Sequence, residues 1–406
     1  MPPMLDFFGV FAILTVLAMS PYIVKSIFVL LFYRSPRLRG RNIDVTFAPN
    51  YPKISVVLPV YNEENVVKAK IQNLLELDYP RDSIEIIVVD GCSTDRTVEI
   101  VKASRDERIK LIRQNEREGV TEAVKTGVQL STGEIVVMTD AEAAFEPSAF
   151  KFLVEDFTNP EIGAVTGIEE IVNPSKNTFT KMESMYRKFY HMSSMAESIA
   201  YSTSIGFRGE FVGFKKELFP MTVNSTKGVL DVEIALGVIR KGYRAIVDER
   251  IKFFGLAADN LKDRNRQKIQ RATLNQETIL QNTDFLFRPK FKTFGLITFP
   301  SNFVMYFISP LIFLTLLGML SLFVINCIMQ SQILTLAFIL AALSIAVLSA
   351  RARVFILAFF HAQLSLVIGI LRILFGKPKF LSQVKSTRNA RAFRHFTEDR
   401  TKKGET

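Results

Sequence analysis

The chain has 406 residues, a formal net charge of +11 and 48% hydrophobic residues, with 35 Phe and no Trp. This length suits one catalytic domain with added membrane helices, because single cores usually stop growing near roughly 250–300 residues. The basic residues concentrate beside apolar segments, which indicates anionic lipid headgroups as their partners and argues against nucleic-acid binding. Cys92 and Cys327 are too few for a disulfide framework or a zinc site.

The first segment, residues 5–33, is almost wholly apolar and longer than the roughly 20 residues needed to cross a bilayer. A secretory signal peptide carries its positive charges before the apolar run, whereas here they follow it. These charges are Arg34, Arg37, Arg39 and Arg41. The pattern predicts a transmembrane helix in 1–34, a basic linker in 35–50 and a cytoplasmic domain after it, by the positive-inside rule.

Residues 51–255 alternate short β-branched runs with helical stretches, which predicts an α/β domain. Apolar runs of the length of buried strands occupy 53–59, 84–90, 108–113 and 134–140. Three of them end at polar residues. Since ligands bind at the carboxyl ends of the strands in open parallel sheets, these polar ends are the candidate site.

Residues 256–293 are polar and basic, and apolar residues recur there at roughly helical spacing. These are Leu261, Ile269, Ala272, Ile279 and Leu280. The spacing predicts an amphipathic helix along the membrane surface, and an ordinary surface helix of the domain explains it equally well.

Three further apolar stretches within residues 294–375, at 302–326, 332–350 and 354–375, are each long enough to span a bilayer, giving about four transmembrane helices in all. Three spans after a cytoplasmic domain would place the basic tail, residues 376–406, outside the cell, against the positive-inside rule. One of the three is therefore a candidate for a re-entrant or surface segment.

The strand ends carry the candidate chemistry. Asp90 ends one predicted strand, and its carboxylate can accept the N–H of a nucleotide base. Asp140 and Glu142 follow another, and two carboxylates delivered by an apolar run need a positive partner. A magnesium or manganese ion bridging diphosphate oxygens is such a partner, although paired acids also occur in turns and helix caps.

Four segments in order resemble the motifs of the family-2 glycosyltransferases: PVYNEE at 59–64, DGCSTDRT at 90–97, DAE at 140–142 and LDVE at 230–233. The resemblance implies a GT-A nucleotide-diphospho-sugar transferase domain with a Rossmann-like mixed sheet. It also implies a divalent cation, Mg²⁺ or Mn²⁺, and a nucleotide-sugar donor.

The resemblance further assigns roles to single residues. Asp231 would be the general base of an inverting transfer, and its alternative role is a helix N-cap. Asp140 and Glu142 would hold the metal. The donor would contact Pro59, Tyr61, Glu63, Asp90, Asp140, Lys268 and Arg271. The acceptor would contact Gly209, Glu210 and Phe211, which otherwise form a turn with a packed aromatic. A solvated or lipid-facing basic helix is the other explanation of Lys268 and Arg271.

These features favour an integral protein of the cell membrane that moves a sugar from a UDP- or GDP-sugar to a lipid-linked or membrane-proximal glycan acceptor. One alternative is a processive polysaccharide synthase that secretes its polymer. Processive members of the resembled family carry QxxRW, and the matching stretch here is KIQRA at 268–272, without the Trp. The other alternative is a non-catalytic membrane protein that binds nucleotide sugars.

Overall fold

The computed structural model describes residues 2–33, 51–222, 228–330 and 350–376. The predicted basic linker, the apolar stretch at 332–350 apart from its last residue, and the basic tail beyond Gly376 lie outside these ranges.

Eight strands form one mixed sheet with the order β3-β2-β1-β4-β7-β6-β8-β5. Neighbours β3, β2, β1 and β4 run parallel to one another, as do β6 and β8, whereas β7 is antiparallel to both β4 and β6, and β5 is antiparallel to β8. The strands are β1 Ile54–Val60, β2 Ile84–Asp90, β3 Ile109–Arg113, β4 Ile135–Met138, β5 Ala144–Phe145, β6 Ile162–Ile171, β7 Val212–Lys215 and β8 Arg244–Gly255.

The α-helices flank this sheet or belong to the apolar segments. Those of the sheet domain are α2 Val67–Leu75, α3 Thr97–Ala103, α4 Val120–Leu130, α5 Ala149–Phe157, α6 Thr178–Ala200 and α7 Leu230–Arg240. The others are α1 Pro2–Phe28, α8 Leu261–Gln281, α9 Phe299–Phe303, α10 Ser309–Met329 and α11 Ala350–Leu374.

The four strands predicted from apolar runs are confirmed as β1 to β4, with boundaries shifted by at most two residues. Every residue of β2 and β4 is buried, because helices cover both faces of the sheet and leave no solvated side. Continuous apolar runs are therefore the correct signature for these strands, in place of alternating ones.

Within the described residues, three helical segments are long and apolar enough to cross a membrane: Phe7–Tyr33, Phe294–Met329 and Ile356–Leu374. They correspond to the predicted spans at 5–33, 302–326 and 354–375. The first two pack together, as the Ser309 hydroxyl donates to the Ala18 carbonyl over 2.8 Å. The second span also contains two π-helical turns, Phe294–Thr298 and Val304–Ile308.

The polar segment after the sheet forms helix α8, which agrees with the predicted helix. Ala272 and Ile279 are buried, whereas Leu261 and Leu280 are exposed. Its buried face also carries amides: Gln276 Nε2 donates to the backbone carbonyls of Tyr306 and Leu366 over 2.8 and 3.0 Å. Helix α8 thus connects the sheet domain to two of the membrane segments through polar side chains.

Candidate functional site

The site forms where the parallel strands β1, β2 and β4 end. Their side-by-side pairing brings the loops that follow them to one edge of the sheet. Strand β7 is antiparallel to β4, so the turn that precedes β7 reaches the same edge. Sequence positions about 70 residues apart, such as Thr139 and Glu210, are thereby hydrogen bonded (Oγ1 to carbonyl O, 2.8 Å).

A cavity of about 940 Å³ opens at this edge and extends to the long apolar helices. Six carboxylates of the sheet domain line it: Asp140, Glu142, Glu169, Glu183, Glu210 and Asp231. Residues of three apolar segments line the opposite side, among them Tyr22, Tyr306 and Phe359. One continuous space therefore joins the acids to the long apolar helices.

Asp140 and Glu142 lie in the turn after β4. Gly209 faces this turn, and a Cβ at that position would lie 3.4 Å from Asp140 Oδ2. Burial, with Glu210 and Asp231 nearby, raises the pKa of Asp140 to about 7, although Lys70 and Arg271 oppose the shift. A cation bound beside such a buried carboxyl group would favour its ionised form.

The donor set fits a hard divalent cation. Among the described residues, no three His, Cys, Asp or Glu side chains form a complete protein cage for a metal. Two carboxylates with substrate phosphate oxygens are nevertheless the usual way in which Mg²⁺ is held, because this ion keeps several oxygen ligands from water and substrate. Asp140 and Glu142 are the residues that would hold it.

Asp231 is the second residue of helix α7 and is buried. The helix N-cap is Val229, which has no side-chain hydrogen bond, so Asp231 is not the cap that its sequence position also allowed. Its Oδ1 accepts from the Val232 N–H over 2.9 Å, and its Oδ2 lies 3.4 Å from Arg271 Nη2. Burial raises the pKa of Asp231, and Arg271 opposes the shift.

The pKa of Glu210 shifts in the opposite direction to those of Asp140 and Asp231. Arg208 Nη2 lies 3.3 Å from Glu210 Oε1. Burial opposes ionisation, but Arg208, Arg271 and Arg187 hold the pKa of Glu210 at about 2. Glu210 therefore stays charged at neutral pH and is a poor proton acceptor, whereas Asp231 is better suited to that role.

Lys268 and Arg271 both lie on α8 and line the cavity. The Lys268 ammonium pairs with Glu183 Oε2 at 3.0 Å and lies 3.8 Å from the centre of the Tyr186 ring. Arg271 is 41% exposed at its side chain and contacts Asp231. Arg271 is therefore the more accessible of the two cations to an anionic ligand.

Pro59, Tyr61, Glu63 and Asp90 do not line this cavity and lie at the adjoining ends of β1 and β2. The guanidinium of Arg117 stacks 3.9 Å above the Tyr61 ring. Asp90 is fully buried, accepts from the Ser93 N–H at 3.2 Å and lies 3.4 Å from Arg113 Nε.

The two loops that follow β1 and β2 are joined by hydrogen bonds. The Asn62 N–H donates to Ser93 Oγ over 2.9 Å, and the Thr94 N–H donates to Asn62 Oδ1 over 2.8 Å. Asn62 and Cys92 have positive φ angles of 54° and 63°. Such left-handed conformations in residues other than glycine concentrate at functional sites.

Phe211 is placed differently from Gly209 and Glu210. Its ring is fully buried, and it packs against Phe145 at 4.9 Å and Phe253 at 6.4 Å between ring centroids. It is absent from the cavity lining. The structure therefore gives Phe211 the packing role that the sequence offered as the alternative, while Gly209 and Glu210 face the cavity.

Sequence reasoning missed a buried chain of ion pairs beside the acids. Glu169 lies 2.7 Å from Arg208 and also pairs with Arg187, whose Nε lies 3.0 Å from Glu183. Glu183 in turn pairs with Lys268. The spacing of Glu183 and Arg187 on α6 is a helical i,i+4 pair, but no local signal links them to Glu169, Arg208 and Lys268, which come from β6, the turn before β7 and α8.

The mixed sheet and its flanking helices have the GT-A-like fold of glycosyltransferases. Residues 55–219 match the family described as "Glycosyl transferase family 2", so the chain contains a domain of that family.

Two curated relatives are each similar to about a third of this chain. A poly-beta-1,6-N-acetyl-D-glucosamine synthase of Staphylococcus epidermidis is 33% identical over 124 residues, which is 30% of each chain. A beta-monoglucosyldiacylglycerol synthase of Nostoc sp. is 29% identical over 147 residues, or 35% of this chain and 31% of the relative. These matches span only about a third of the relatives.

A solved structure matches across both the sheet domain and the apolar helices. It is the mannosyltransferase PcManGT from Pyrobaculum calidifontis in complex with GDP-Man and Mn²⁺. The TM-score is 0.71 at 25% sequence identity, and the match covers 90% of this chain and 99% of that one. The match therefore extends beyond the GT-A-like domain to the apolar helices of this chain.

Proposed function

We propose that this protein transfers a sugar from a nucleoside-diphosphate sugar to a lipid-linked or membrane-proximal glycan acceptor. The observation that carries this proposal is the shared cavity, in which Asp140, Glu142 and Asp231 lie opposite Tyr22 and Tyr306 of the apolar segments. A water-soluble acceptor would not need apolar helices to line the site. An acceptor held in the bilayer would enter the cavity between those helices.

The reaction is a single displacement. An acceptor hydroxyl attacks the anomeric carbon, its proton passes to Asp231, and the bond from that carbon to the diphosphate oxygen breaks with its electron pair on the diphosphate. Asp231 suits this role because burial raises its pKa towards the working range of a base. The displacement inverts the anomeric configuration, so an α-linked donor gives a β-linked product.

Two groups would offset the charge of the departing diphosphate. A divalent cation held by Asp140 and Glu142 would polarise the phosphate oxygens. The exposed Arg271 guanidinium is suited to the same oxygens, since its fork matches their geometry. Binding of diphosphate to Arg271 would also release Asp231 from its 3.4 Å contact and leave that carboxylate to the acceptor.

We also place the sheet domain on the cytoplasmic side. The support is the run of arginines after the first span, together with the cytoplasmic supply of nucleotide sugars that such a reaction needs. Pro59, Tyr61, Glu63 and Asp90 would form the nucleotide end of the donor site, at the edge beside the cavity.

The test is incubation of membranes containing the protein with radiolabelled GDP-mannose and a panel of other GDP- and UDP-sugars, each with Mn²⁺ or Mg²⁺. The products are then divided between organic solvent and high-mass material. Metal-dependent label in the organic phase is the expected result. Label in alkali-stable polymer would support the processive synthase instead, which the similarity to the staphylococcal polymer synthase keeps as the second candidate. No label from any donor would refute both and favour a non-catalytic binding protein.

A further inference from the structure

Lys70, on helix α2, has no exposed surface at all. Burial lowers the pKa of this lysine well below its usual value, while Asp140 opposes the shift. A buried lysine is unfavourable unless its N–H groups are all satisfied, and a Met or Leu would fill the same space without that penalty. The hydrogen bonds of the Lys70 ammonium therefore indicate what a lysine, in place of an apolar residue, does at this position.

The Lys70 ammonium holds both ends of the acidic turn. It donates to Thr139 Oγ1 over 2.8 Å and to the Ala143 carbonyl over 2.7 Å. These two residues immediately flank the segment from Asp140 to Glu142. The face of the Phe145 ring lies 3.7 Å from the same nitrogen and occupies its third side.

The contact with Thr139 extends this support to the second loop of the site. The Thr139 hydroxyl accepts from Lys70 and donates to the Glu210 carbonyl over 2.8 Å. Gly209, one residue earlier, faces Asp140, because a Cβ at that position would lie 3.4 Å from Asp140 Oδ2. One buried side chain thus sets the spacing between the acidic turn after β4 and the turn before β7.

We propose that Lys70 is a positioning residue that holds Asp140 and Glu142 in the geometry that binds the divalent cation and the donor diphosphate. This inference rests on the proposed function. Lys70 is absent from the cavity lining, so it acts through the turn and does not touch the substrate.

Asn73, one turn further along α2, provides a matched control. It is also buried, and it exchanges two hydrogen bonds with the Phe145 backbone, at 2.9 and 2.8 Å. Replacing Asn73 removes buried hydrogen bonds to the neighbouring segment without touching Thr139 or Ala143. A general loss of stability on α2 can therefore be separated from a loss of geometry at the acidic turn.

The experiment titrates purified full-length protein with Mn²⁺ in the presence of GDP or UDP and follows free Mn²⁺ by electron paramagnetic resonance. Lys70→Met is expected to weaken Mn²⁺ binding by roughly tenfold or more, about 1.4 kcal/mol. Asn73→Ala is expected to lower the melting temperature but to keep Mn²⁺ affinity within about twofold of wild type. Thr139→Val, which keeps the bond from Lys70 to Ala143, is expected to give a smaller loss than Lys70→Met and serves if the latter does not fold.

Unchanged Mn²⁺ affinity in Lys70→Met, or in Thr139→Val if that variant alone folds, would overturn the inference and leave the proposed function intact. An equal loss in Asn73→Ala would also overturn it, since stability alone would then explain the effect. Wild-type protein that binds Mn²⁺ with neither nucleotide would overturn the proposed function first, and this inference with it.

Discussion

Replacing Asp231 by Asn separates the proposed base from its structural surroundings. Asparagine keeps an oxygen for the Val232 N–H, which Asp231 now accepts over 2.9 Å. The substitution removes the ion pair with Arg271 at 3.4 Å, and because that arginine is 41% exposed, the pair contributes at most about 1 kcal/mol to stability. The Asp231→Asn protein is therefore expected to keep its fold.

Asp231→Asn is expected to lower activity without lowering stability. Burial raises the pKa of Asp231, so its ionised form is less favourable in the folded protein than in the unfolded chain at neutral pH. Removing that charge leaves the free energy of unfolding unchanged or slightly higher. Loss of the base should lower kcat by roughly 100- to 10,000-fold, or about 2.7 to 5.4 kcal/mol of activation free energy.

The assay measures initial rates of sugar transfer with saturating donor and Mn²⁺, alongside thermal unfolding and Mn²⁺–nucleotide binding. Glu233→Gln is the matched control, because this residue lies on the same helix, accepts from Asn282 Nδ2 at 2.9 Å and does not line the cavity. It should keep wild-type kcat. An Asp231→Asn protein that binds nucleotide and transfers sugar at the wild-type rate would refute the assignment of the base.

Three other outcomes follow from the same geometry. Arg271 lowers the pKa of Asp231, so Arg271→Gln should raise that pKa and move the acid limb of the kcat–pH profile to higher pH; an unmoved limb would contradict this coupling. A Cβ at Gly209 would lie 3.4 Å from Asp140 Oδ2, so a larger side chain there would displace that carboxylate. Gly209→Val should therefore abolish metal-dependent nucleotide binding, and Gly209→Ala should weaken it less. Equal binding by both variants and wild type would show that the turn adapts. Removal of divalent cations with EDTA should stop transfer, and added Mn²⁺ or Mg²⁺ should restore it, as measured by product formation; transfer that persists in EDTA would exclude a required metal.

The elements that could be predicted from the sequence are those marked by short, continuous patterns of residues. Strands β1, β2 and β4 are buried on both faces, so each is visible as a continuous apolar run ending in polar residues. Asp140 and Glu142 could be located because they directly follow such a run. Because β1 pairs in parallel with both β2 and β4, the carboxyl ends of these strands lie side by side.

The rest of the site depends on contacts between distant segments. Helix α6 contributes Glu183, Arg187 and Tyr186 to the cavity, yet its charged sequence resembles that of a solvated surface helix. Lys70 is one of two nearby lysines on α2, and only the packed structure shows that it is the buried one. Phe211 was expected at the acceptor site because its segment resembles the acceptor segment of the family, but its ring packs in the core against Phe145 and Phe253.

The contact between the first apolar helix and the sheet domain constrains how the protein can be handled. Lys25 of α1 forms a buried ion pair with Glu197 of α6, and the Thr203 hydroxyl donates to the same carboxylate over 2.6 Å. Removing α1 would leave Glu197 buried without its cation, a change that typically costs about 3–5 kcal/mol. The first apolar helix is therefore packed as part of the sheet domain, and its surroundings are coupled through Glu197 to α6, the helix that also carries Glu183 and Arg187.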